Sequence, residues 1–64
     1  MNRLREIRAI KRIRQFDLTI KTGIPQSRLS FIENELVIPK ENEMKRLAKA
    51  LGLQVKDIFN TMVS

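Results

Sequence analysis

Neither cysteine nor histidine occurs among the 64 residues. Chains this short bury a small fraction of their surface and often lean on disulfides or a structural metal. Without thiolates or imidazoles neither staple is available in its usual form. The core must come from side-chain packing alone, drawn from the 42% of residues that are apolar. A reducing, cytoplasmic setting suits such a chain, and self-association would supplement a small core. The same absences exclude His-based triads, His general bases and Cys nucleophiles. The remaining Asp, Glu and Lys show no catalytic spacing, so no enzyme, no cofactor and no metal site is expected. No stretch approaches the roughly 18 to 20 apolar residues of a membrane helix. The opening MNRLREIRAIKR is charged throughout and lacks the apolar run of a signal peptide. The length predicts one domain spanning residues 1–64.

The formal charge is +6, and its distribution is uneven. Residues 1–32 hold eight basic side chains (Arg3, Arg5, Arg8, Lys11, Arg12, Arg14, Lys21, Arg28) against two acidic ones (Glu6, Asp17). Residues 33–64 hold five of each sign. All the net charge therefore sits in the first half, which favours a polyanionic partner, because each cation placed on a phosphate releases condensed counterions. A solvated basic face that binds nothing carries the same composition.

Two Pro and two Gly punctuate the chain, and no alternating apolar/polar run is long enough for a strand. Leu4, Ile7, Ile10 or Lys11, and Ile13 follow helical spacing and predict a first helix over about 3–12. A second, about 15–22, turns Leu18 inward and stops before Gly23. Ile24-Pro25 restarts the chain, Pro being suited to a helix entry, and a third helix over about 26–34 buries Leu29 and Ile32. After the apolar linker Leu36-Val37-Ile38-Pro39, the fourth helix, 41–51, carries Met44, Leu47, Ala48 and Leu51 at i, i+3, i+4 and i+7. Gly52 closes it. Val55, Ile58 and Phe59 predict a last short helix over about 54–61. The fold class is all-α, five short helices around one core.

The most informative segment is QFDLTIKTGIPQSRLSFIEN, Gln15 to Asn34. Two short helices joined by a tight Gly turn must cross steeply. Leu18, Ile24, Leu29 and Ile32 clamp them together, Thr19 is small at the crossing, and Gly23 makes the turn. With the LREIR start, Gln15 opening the second helix, SFIEN closing the third, Pro39, and MKRLAKALGLQVKDIF, the chain resembles the helix-turn-helix domain of phage-repressor regulators of the Cro/cI or XRE type. The resemblance covers about residues 3–59.

That resemblance implies a five-helix lambda-repressor-like domain that binds double-stranded DNA, acts as a homodimer on a two-half-site operator, and serves as a transcriptional regulator, commonly a repressor. It places Gln15 and Asn34 on phosphates, with Arg14 and Ser30 expected there as well. It turns Gln26, Ser27, Arg28 and Phe31 toward the major groove, and makes Arg8 and Glu33 a structural ion pair. The chemistry agrees: Gln pairs bidentately with adenine N6/N7, Arg with guanine O6/N7, and Phe meets a thymine methyl. Partial burial of Phe31 and a capping role for Ser27 are the plainer alternatives.

Four positions depart from the family pattern. Thr22 stands where an aliphatic residue is usual, which predicts looser packing. Glu35 replaces a helix-ending Gly and either costs about 1 kcal/mol in a left-handed conformation or gives the turn another shape. Lys40 and Gln54 replace Ser or Thr caps, which predicts frayed helix starts. Phe16 and Ile20 have no evident core slot, and Leu36, Val37, Ile38, Met62 and Val63 are candidates for a dimer interface. Two further functions fit the same scaffold. One is a protein-interaction module such as an antirepressor or adaptor. The other is an antitoxin that binds DNA and also a toxin.

Overall fold

The computed structural model describes residues 2–59. Within them the chain forms five helices: α1 (Leu4–Lys11), α2 (Gln15–Thr22), α3 (Gln26–Glu33), α4 (Glu41–Leu51) and α5 (Val55–Ile58). The fold is all-α. The predicted helices stand where expected, each end within one residue except that α5 closes at Ile58 and Phe59 forms an isolated antiparallel bridge with Asn2. The rest of the predicted last helix lies outside the described residues.

Leu4, Leu18, Ile24, Leu29, Ile32, Leu47 and Ile58 are fully buried, one or two from each helix and one from the α2–α3 turn. Burying each such side chain contributes about 1.5–3 kcal/mol, so this shared cluster is what makes helices of eight residues or fewer stable. Phe59 and Ile7 complete it. Ile10 does not: it is exposed, and the inward stripe of α1 runs through Leu4 and Ile7 to half-buried Ile13. The two ends of the described chain are tied together, Arg3 N–H donating to the Ile58 carbonyl at 2.8 Å.

The helix ends explain how α2 and α3 are set against each other. Gly23, at φ +78°, ends α2 in the left-handed region that Gly enters without steric cost. Thr22 corrects the expectation of loose packing. It is buried, its hydroxyl donates to the Leu18 carbonyl at 2.6 Å and accepts from Ile24 N–H at 3.2 Å, so it fastens the turn. Glu35 takes the left-handed conformation at φ +60°, and so does Arg12 at φ +57°, which the sequence did not signal. After each, a backbone bond closes the helix: Leu36 N–H to the Phe31 carbonyl and Ile13 N–H to the Arg8 carbonyl, both at 2.9 Å.

Lys40 and Gln54 do not leave frayed starts. At α2, α4 and α5 a carboxylate three residues in accepts from the backbone N–H of the capping residue: Asp17 from Arg14 at 3.1 Å, Glu43 from Lys40 at 2.8 Å, Asp57 from Gln54 at 2.9 Å. This is the returning half of a capping box, used without a Ser or Thr partner.

Candidate nucleic-acid interface

Helix α3 differs from the other four at its start. Every other helix has an acidic side chain in its first turn, and α3 has none. Pro25 precedes it and no side chain caps it. Its first N–H groups and the positive end of its dipole are therefore left for an external anion. Leu29, Ile32 and Glu33 turn inward, which leaves Gln26, Ser27 and Phe31 on the exposed face. Phe31 is 48% exposed, so the burial alternative accounts for only part of it. Ser27 makes no capping hydrogen bond.

A buried carboxylate organises the edge beside that face. The Glu33 side chain is 1% exposed and sits between α1, α2 and α3. Arg8 grips it with two donors, Nε to Oε2 and Nη2 to Oε1, and sends its third to the Ile13 carbonyl at 3.0 Å. Gln15 Nε2 donates to the same Oε1 at 3.0 Å, and the Gln15 carbonyl oxygen faces Gln26 Nε2 at 3.5 Å. One carboxylate thus accepts three charge-assisted or amide donors and fixes Gln15, which in turn steadies the first residue of α3. At the far end of α3, Asn34 donates to the Ser30 carbonyl at 2.9 Å and accepts from Arg5. Arg5 was not among the sequence candidates, and nothing in its spacing singles it out. Arg14 is exposed and has no ion pair among the described residues.

Arg28 is the exception among the expected base-reading residues. Its guanidinium turns toward α4 and forks onto Glu43, Nε to Oε2 and Nη2 to Oε1, both at 3.0 Å. The two side chains are 30% and 13% exposed. The Arg28 hydrogen bond, joined by that from Lys40 N–H, holds the Glu43 carboxyl below the usual carboxylate range, against the opposing pull of partial burial. The Nε/Nη2 edge of the guanidinium, one of those that can grip a guanine, is occupied within the chain.

The sequence matches, over residues 3–63, a family model described as the Cro/C1-type HTH DNA-binding domain. The chain belongs to that family. It is a helix-turn-helix DNA-binding domain, with α2 and α3 as the two crossing helices. No curated protein sequence matches it significantly.

Of the residues proposed for a dimer, Leu36 is 69% and Ile38 89% exposed, whereas Val37 is half-buried and packs on the core. Val37, Ile38, Pro39, Met44 and Phe59, with Asn2 and Glu35, line an open groove of about 260 Å³. Met62 and Val63 lie outside the described residues. No helix among the described residues is long and apolar enough to cross a membrane, and none of their acidic side chains cluster as metal ligands do.

Proposed function

We propose that the chain is a sequence-specific transcriptional regulator, a cytoplasmic repressor that binds operator DNA as a homodimer and occludes it. The observation that carries this reading is the α3 face itself. Gln26, Ser27 and Phe31 stand exposed on a helix whose first turn is free of acidic side chains, beside a Gln15 fixed by the buried Glu33. Gln26 supplies the donor–acceptor pair that matches adenine, Ser27 reads either base type, and Phe31 packs on a thymine methyl. Gln15 Nε2, Arg14, Ser30 and Asn34 supply donors for the flanking phosphates, which set register without reading sequence.

For the dimer, the exposed Ile38 at the rim of a mostly apolar groove supports pairing of two copies about a two-fold axis. Two recognition helices would then lie about 34 Å apart, one DNA turn. Selection of bound duplexes from a randomised pool at about 150 mM salt tests the function. A two-fold symmetric motif with half-sites one turn apart supports it; no enrichment, with binding that collapses as salt rises, refutes it. Sedimentation tests the dimer: Ile38→Asp shifts the protein to monomer, and a wild-type monomer at tens of micromolar contradicts the two-fold reading.

A second reading has its own observation. Phe16 and Ile20, 58% and 67% exposed and one turn apart on α2, form an apolar strip that DNA reading does not use. It favours an additional protein partner, a toxin or an antirepressor.

A further inference from the structure

We infer that Glu43 determines base specificity by withholding Arg28 from DNA, so that α3 reads A·T pairs through Gln26, Ser27 and Phe31 and reads no guanine through Arg28. The inference rests on the DNA-binding reading above. Arg28 follows Gln26 and Ser27 directly, in the first turn of the reading helix. A guanidinium fork there is the commonest protein partner of guanine, whose O6 and N7 it grips bidentately. The geometry that suits guanine suits a carboxylate equally, and the Nε/Nη2 edge holds one bidentate acceptor at a time. That edge is taken: Glu43 accepts from Nε and Nη2 at 3.0 Å each.

The lock is built to hold. Glu43 sits on α4, away from the reading helix, and cannot follow Arg28 toward a groove. Its Oε1 also accepts Lys40 N–H at 2.8 Å, so moving the carboxylate would uncap α4. With Arg28 in place its side chain is 13% exposed. Departure of Arg28 would leave that carboxylate without its cation beside the polyanion, which is unfavourable. Every other side chain of the reading set is an amide, a hydroxyl or a ring, and none brings a cationic pair of donors to guanine.

Glu43 is thus a positioning residue, and base preference is the readout that a merely structural role would not move. Selection from a randomised duplex pool with wild type, Glu43→Gln, Arg28→Met and the double variant separates the possibilities. Glu43→Gln keeps an acceptor for Lys40 N–H, and a thermal melt of each variant establishes that it is folded. The wild type is expected to enrich half-sites without a guanine dependent on Arg28, and Arg28→Met is expected to keep that profile. Glu43→Gln is expected to add a guanine at one position per half-site, enriched about tenfold, which the double variant loses. An Arg28→Met profile that loses one wild-type base preference would overturn the inference, because Arg28 then reads DNA despite Glu43. So would a folded Glu43→Gln with the wild-type profile; if that variant does not fold, the Arg28→Met profile decides alone. Failure of the wild type to enrich any sequence would overturn the DNA-reading proposal, and this inference with it.

Discussion

Two carboxylate–arginine locks border the same helix and have opposite consequences. At its C-terminal end Glu33 is 1% exposed and gathers Arg8 and Gln15, presenting the Gln15 amide beside the reading face. Near its N-terminal end Glu43, at 13%, takes one arginine out of that face. The chemistry is identical, a planar fork on a carboxylate. What differs is which partner faces solvent and what else the acid holds. On the proposed reading, the lock whose spare lone pair accepts the Gln15 amide builds the site, and the lock whose carboxylate also caps α4 removes a group from it.

The sharpest way to break the comparison is to remove each acid in turn. Glu33→Ala strands the Arg8 charge among three helices and is expected to cost about 3 kcal/mol or more. In a domain of this size that approaches the whole stability. Glu43→Ala leaves a more exposed arginine and an uncapped α4, an expected loss of about 1 kcal/mol. Chemical denaturation of both variants measures the difference, and equal losses would erase the distinction between the locks.

Next in size are the effects on binding. Gln26→Ala is expected to cost about 1–3 kcal/mol on the selected operator and to relax one base position. Gln15→Ala, which removes the proposed phosphate donor, is expected to weaken operator and random duplex alike. Fluorescence titration of each variant against both duplexes decides, and equal losses for Gln26→Ala would remove it from the reading set.

The smallest expected effect is on pH. The folded-state carboxyl of Glu43 lies below its unfolded value, chiefly through the Arg28 hydrogen bond. Its contribution is therefore complete above the ordinary carboxylate range, about pH 4.3, and fades as pH falls through the lower folded value. Melting temperatures followed from pH 6 downward should fall less steeply in Glu43→Gln than in wild type. An unchanged slope would mean the pair contributes nothing to acid stability.

The apolar skeleton was legible because periodicity and Gly placement are local signals. Leu18, Leu29 and Ile32 clamp around Gly23, and the Met44–Leu51 stripe reads directly as a buried helix face. Ile10 misled, since a short helix buries only one narrow stripe and Leu4 with Ile7 already fill it. The caps at Lys40 and Gln54 were half legible: the Ser/Thr half of the motif is missing, but the acid three residues on is present in each case. The Arg28–Glu43 lock was not legible, because it joins residues fifteen apart on helices whose crossing the sequence does not specify. Arg8 and Glu33, separated by twenty-five, were within reach only through the family pattern.

The most direct test of the central claim is a backbone amide NMR titration of the labelled protein with its selected duplex. Shift changes are expected to centre on residues 26–31, with Arg14, Gln15 and Asn34 at the margins and the 36–38 linker affected only where dimer halves meet. Perturbation centred instead on Phe16 and Ile20 or on the linker groove, with α3 unmoved, would contradict it and make the domain's working surface a protein-binding one.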